Sequence, residues 1–116
     1  MNQKGVYMLE SLFGSLTKEK VLIYIFCREE GYGREIASFY NIPLNPVLQQ
    51  LKKLEAGNVL YAASKGRTKV YRFNPRFPFL QELKSLLNKV VAFYPEEISQ
   101  RLNYDRRRPR KSGKKL

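Results

Sequence analysis

The sequence predicts a mainly α fold with a small β-hairpin wing (α+β): a winged helix-turn-helix plus a C-terminal amphipathic helix. Three observations predict it. Two helical segments flank the turn-forming Asn41-Ile42-Pro43. Two β-rich stretches around a glycine turn follow directly. Apolar residues then recur at alternating steps of three and four from Leu80 to Tyr94, the spacing of one helical stripe.

Taken in chain order, residues 1–8 read as a flexible leader and 9–103 as the folded domain. Residues 17–30, TKEKVLIYIFCREE, open on Thr17, an acceptable N-cap. The apolar run Val21 to Cys27 fits a buried strand or a buried helix, and the charges on both sides lengthen the segment beyond an ordinary strand, so it reads as a helix stopped by Gly31. Cys27 reads as a small core residue. Residues 34–40 make a short helix with Ile36, Ala37 and Tyr40 on one face. Asn41 supplies the left-handed residue of a sharp turn, and Pro43 does not continue the helix. Residues 44–56 form the next helix, with Asn45 as N-cap, Pro46 at the first helical position, and Val47, Leu51 and Leu54 as the buried stripe. Gly57 stops it.

Residues 59–64 and 69–73 read as strands joined by Lys65-Gly66-Arg67-Thr68, with Val70 buried between exposed Lys69 and Tyr71. Asn74-Pro75 breaks the pattern, and residues 79–94 form an amphipathic helix. Pro95 interrupts it, and residues 96–102 add a further helical turn or two. Residues 104–116, with Pro109, Gly113 and no apolar residue between Tyr104 and Leu116, read as a disordered basic tail.

The 116-residue chain carries a net charge of +12, which calls for a polyanionic partner. Half of that excess sits in the tail, where seven bases face the single acid Asp105. The preceding residues hold 15 bases and nine acids, so the folded part is basic in its own right. There is no histidine and one cysteine, Cys27. That inventory provides no metal site, no cofactor site, no histidine acid–base chemistry and no internal disulfide, and it suits a reducing cytoplasm. Glycine-rich phosphate loops and clustered carboxylates are also missing, and the chain reads as non-enzymatic. No apolar run approaches the roughly 18 residues of a membrane span, and the N-terminus lacks a signal-peptide pattern, so no membrane partner is expected.

Helix, short helix, turn, helix, hairpin, helix is the order of a winged helix. Such an arrangement holds its second helix proud of the body, where it enters a major groove. The stretches LFGSLTKEKVLIYIF, REIASFYNIPLNPVLQQLKKLEAGNVL and KVYRFNPRFPFLQELKSLL resemble ArsR-like winged helix-turn-helix proteins, a group often associated with minimal nucleotidyltransferase domains. The closest matches are Leu12 to Ser15, Leu51 to Gly57, and Asn74-Pro75 with Pro78 and Leu83. The resemblance covers about residues 12–92 and implies transcription regulation through double-stranded DNA. It implies base contacts from Leu44, Asn45, Leu48, Gln49 and Lys52, and phosphate contacts from Arg34, Lys53, Lys65, Arg67, Thr68 and Lys69. Leu44 and Leu48 would read thymine methyls or lie in a protein contact. The metal-sensing branch uses Cys and His ligands, which this chain does not have.

Further expectations concern partners. Leu80, Leu83, Leu87, Val90 and Tyr94 form a candidate dimer interface. A two-fold homodimer would place two recognition helices about 34–36 Å apart on a palindromic site. In the tail, Arg106, Arg107, Arg108, Arg110 and Lys111 would bind phosphates without reading sequence, an affinity that falls steeply with salt. The alternatives are an RNA-binding or ribosome-associated basic protein and an adaptor to a nucleotidyltransferase-like partner.

Overall fold

A computed structural model describes the backbone of residues 7–107 and the side chains of residues 7–103. The helices in this span are α1 (Glu10–Phe13), α2 (Leu16–Arg28), α3 (Gly33–Tyr40), α4 (Leu44–Ala56), α5 (Leu80–Ala92) and α6 (Glu96–Arg107). Two strands, β1 (Leu60–Lys65) and β2 (Thr68–Phe73), pair as an antiparallel hairpin between α4 and α5. This is the expected α+β class, mostly helical with a small hairpin wing.

α2 is the axis of the molecule. It packs against α1, α3, α4, α5, α6 and β2. Val21 to Ile25 are buried on every side, which is why the run shows no helical period. Ser15, not Thr17, caps this helix: its Oγ accepts the Lys18 N–H at 3.0 Å. The helix ends at Arg28, because Glu29 turns left-handed (φ 75°) and donates its N–H to the Ile25 carbonyl. Gly31 therefore does not stop α2. It pairs with Tyr71 through two backbone hydrogen bonds of 3.1 and 2.8 Å and fastens the hairpin to the body.

α4 begins one residue before the expected cap. Pro43 is the N-cap, Leu44 is the first helical residue, and Asn45 makes no cap bond. Pro46 thus sits in the first turn, where the N–H it lacks would have had no intrahelical acceptor. In the hairpin, Lys65 pairs with Thr68, leaving a two-residue turn, Gly66-Arg67. Gly66 takes the positive φ of 63° that such turns need at their first position. Val70 is buried as expected, and Tyr71, on the other face, is buried as well. Leu60, Ala62, Tyr71 and Phe73 share the face on the main core, while Val70, although buried, stands outside that cluster. Side chains alternate along a strand, which sets Val70 and Tyr71 on opposite faces.

At both ends the described structure reaches into segments that the sequence reads as leader and tail. The expected leader, 1–8, is anchored at its end: Tyr7 is buried, with its ring 5.3 Å from Tyr94 and 6.3 Å from Tyr40. The expected tail, from 104, starts inside α6, which runs to Arg107. Glu96 and Glu97 in its first turn suit the helix dipole. Fully buried Leu102 fixes it to the core, and the Arg28 Nε donates to the Leu102 carbonyl at 3.0 Å.

Glu19 gathers these pieces. Its carboxylate is fully buried and accepts the N–H groups of Met8 (3.2 Å) and Leu9 (2.8 Å) and the Tyr94 hydroxyl (2.6 Å). Burial, then the hydrogen bond and charge of Glu19, push the Tyr94 hydroxyl far above its ordinary value and keep it a donor. Replacing Tyr94 by Phe should lower stability by about 1.5–3 kcal/mol, the range for a hydrogen bond to a charged group. Glu19→Ala should cost more, since it strands three donors at once. Urea unfolding followed by circular dichroism checks both, and equal losses from the two variants would argue against Glu19 as the shared acceptor.

Candidate nucleic-acid interface

α3 and α4 cross closely because the face between them is small. Gly33 and Ala37 are both buried. A Cβ on Gly33 would lie 2.6 Å from Leu48 Cδ2 and 3.4 Å from Leu44 Cδ1. Asn41 closes α3 in the left-handed conformation (φ 56°), as the turn requires. Val47, Leu51 and Leu54 bury the inner stripe of α4. Asn45, Gln49, Lys52 and Lys53 are exposed on its outer surface. Their spacing of four, three and one sets them along one side of the helix.

Two of the expected base-contacting residues are placed differently. Leu44 and Leu48 are half-buried, packed on the core and turned onto Gly33. They cover the start of α3 and do not extend the outward polar row. The sequence offered one clue to this, a glycine at the head of a helix, where no turn calls for it.

The wing is tethered by acids. Arg72 donates from Nε (3.0 Å) and Nη2 (2.6 Å) to Glu30 Oε1, and Lys65 stands 3.7 Å from Glu30 Oε2. The hydrogen bond and charge of Glu30 raise the Arg72 guanidinium above its usual value. Lys69 lies 3.7 Å from Glu55 of α4 and 5.8 Å from the centre of the Tyr71 ring. Arg67 is exposed at the tip and Thr68 is half-buried beside it. Arg34 is exposed in the first turn of α3, with no hydrogen-bond or ion-pair partner among the described residues. The interface thus offers Arg34, α4 and the tip of the wing. In the tail set, Arg106 and Arg107 lie in the last turn of α6, and Arg108, Arg110 and Lys111 lie outside the described residues.

The candidate dimer stripe is largely consumed inside the chain. Leu87, Val90 and Tyr94 are buried in the core, and Leu80 and Leu83 are half-buried. The apolar surface left open lies beside that stripe. Leu12, Phe79 and Phe93 are 65%, 64% and 69% exposed, so each presents most of its area to water. Phe79, Leu83 and Leu86 line a groove of about 380 Å³ against α1 and α2. Leu86 also lines a neighbouring hollow with Met8 and Phe93.

No group of His, Cys, Asp or Glu that could hold a metal ion occurs among the described residues, and none of their helices is long and apolar enough to cross a membrane. No protein-family model, curated protein or solved structure matches this chain. The ArsR-like resemblance therefore stands on its quoted residues alone.

Gly33→Val should push Leu48 and Leu44 off α3 and lower stability by about 1–3 kcal/mol, the usual cost of overpacking. Thermal unfolding measures this. An unchanged midpoint would mean that the α3–α4 crossing tolerates a side chain at that position.

Proposed function

We propose that this protein binds double-stranded DNA with α4 in the major groove and the hairpin on the flanking backbone, as a cytoplasmic, homodimeric regulator of transcription that needs no cofactor. The observation that carries this reading is the outer row of α4. Asn45, Gln49 and Lys52 are exposed on a helix whose opposite side is locked by Val47, Leu51 and Leu54. Amide side chains suit adenine N6 and N7, and lysine suits guanine O6 and N7. Lys53, Arg67 and Arg34 supply phosphate contacts around that row.

A second copy suits the surface of Leu12, Phe79, Leu86 and Phe93. Leu86 joins its two hollows into one apolar strip. Lys18, Glu82 and Lys89 stand along it, so Glu82 of each copy could meet a lysine of its two-fold mate. The half-buried Leu44 and Leu48 speak against the adaptor reading that would use them as a partner's contact. For the RNA reading, Tyr61 is the one large hydrophobic side chain of the hairpin that is exposed, which is little stacking surface for bases.

Fluorescence anisotropy of the full chain on duplex from its own upstream region, with random duplex and structured RNA as competitors, tests the reading. The expected result is a preference of at least about a hundredfold for the upstream duplex at physiological salt. Gln49→Ala and Lys52→Ala should each cost about 1–3 kcal/mol on that duplex and little on random DNA. Equal binding of all three nucleic acids would leave only phosphate electrostatics and overturn sequence-specific regulation. For the dimer, Phe93→Glu should convert a dimeric species to monomer in sedimentation velocity, and a wild-type monomer at micromolar concentration would sink that half of the proposal.

A further inference from the structure

A second basic feature lies on the flank of α3 that carries Arg34, Glu35, Ser38 and Phe39. With the last turns of α2 and the middle of α6, this flank encloses a cleft of about 590 Å³. Three guanidinium groups line it, from Arg28, Arg34 and Arg101. Arg101 lies 4.2 Å from the centre of the Phe39 ring and donates to the Phe39 carbonyl at 2.9 Å. Arg28 lies 5.0 Å from the same ring and 4.7 Å from that of Tyr24. Its N–H groups also hold the Tyr24 hydroxyl at 2.7 Å and the Leu102 carbonyl at 3.0 Å.

Stacking on the Phe39 ring and bonding to its carbonyl fix the plane of the Arg101 guanidinium without neutralising it. Glu35 is the one carboxylate among the residues that line the cleft with Arg34 and Arg101. It is half-buried, and burial is the chief cause that raises its acid above the usual carboxylate value, while hydrogen bonds from Tyr32 and Tyr24 and the charge of Arg28 pull it down. The cleft therefore holds a surplus of positive charge, orientated donors and a serine hydroxyl. Planar, pre-orientated guanidinium groups are the side chains best matched to tetrahedral oxyanions.

We infer that the α3–α6 cleft binds a phosphate group, held by Arg34 and Arg101 with Ser38 as a neutral donor and with Arg28 fixing the walls. Two sources share that chemistry. One is the backbone of a duplex engaged by α4, because Arg34 opens the helix that packs directly on α4; this source rests on the DNA-binding reading. The other is a free phosphate ester, which does not depend on it. In the first case α6 is a second arm of the DNA interface.

The test uses the full chain and the variants Arg34→Gln, Arg101→Gln and Glu35→Gln. Affinity for random duplex is measured across salt concentrations, and inorganic pyrophosphate is titrated while the Ser38 and Phe39 amide resonances are followed. A backbone phosphate predicts that each arginine variant lowers the salt slope by about 0.9, and that Glu35→Gln tightens duplex binding by about fivefold. A free phosphate ester predicts unchanged duplex binding in Arg101→Gln and Glu35→Gln, whereas Arg34→Gln weakens duplex binding in either case because Arg34 is a phosphate contact of the proposed DNA interface. The amides then shift with pyrophosphate, the shifts vanish in Arg34→Gln, and they saturate at lower concentration in Glu35→Gln. Arg34 is exposed, so its variant keeps the test intact even if Arg101→Gln unseats α6. The inference is overturned if Glu35→Gln alters neither duplex nor pyrophosphate binding. A wild-type chain that binds no duplex but passes the pyrophosphate arm would sink the DNA reading and leave the cleft standing.

Discussion

One buried carboxylate organises this molecule. Glu19 has no contact with water, and an ion so placed is tolerated only when hydrogen bonds replace its hydration. The replacements come from two distant parts of the chain: two adjacent backbone N–H groups preceding α1 and the phenol that follows α5. Folding one part without the other would leave the charge half-satisfied. Lys20, next in sequence, is buried as well, with its ammonium 5.0 and 5.5 Å from the rings of Tyr7 and Tyr40. Burial lowers its value, and the neighbouring Glu19 charge partly restores it. The aromatic cage and the carboxylate thus sustain each other around the start of α2.

From that end of α2 the constraint passes along the molecule. Tyr94 fixes where α6 begins, and α6 then runs beside α2 until Leu102 meets Arg28. Arg28 and Arg101 both lie on Phe39, so the α6 register is read out on α3. α3 in turn sets α4 through Gly33 and Ala37. The outward row of α4 is therefore held by packing at two removes from Glu19. Its rigidity is a property of the whole helical body, and the turn at Asn41 only directs it.

The parts of this arrangement that were legible in the sequence are those decided locally. Apolar spacing in α3, α4 and α5, the left-handed Asn41 and the glycine of the hairpin each follow from a few adjacent residues. What was missed is decided at long range or by a single torsion. Nothing near Glu19 in sequence announces that Tyr94, 75 positions away, will donate to it. The same holds for Tyr7, whose burial depends on Tyr40 and Tyr94, and for the reach of α6. Ser15 and Thr17 are comparable caps, and the choice between them is settled by where α1 delivers the chain. The burial of Tyr71 was missed because Val70 and Tyr71 are both good strand residues. The bridge from Gly31 to Tyr71, where a glycine leaves room, brings Tyr71 onto the core. At the interface, Asn45, Gln49, Lys52 and Lys53 were placed correctly on the outside by periodicity alone. Leu44 and Leu48 were not, because their partner is the absence of a side chain at Gly33.

The same geometry divides the basic residues into two kinds. Lys65 and Lys69 each face a carboxylate at 3.7 Å, and Arg72 is bonded to Glu30. For these groups a nucleic acid phosphate would have to replace a carboxylate, and the gain would be the difference between two similar attractions, each weakened by water at such exposure. Lys52, Lys53, Arg67 and Arg34 have no acid partner among the described residues. For them a phosphate or a base edge would replace only water and counterions, so the electrostatic gain would be undivided. The acids near the hairpin therefore do more than fix it to the body. On the proposed duplex they would weaken the wing relative to α4 and α3, so that orientation would be governed by the helix with the outward polar row, with the hairpin following.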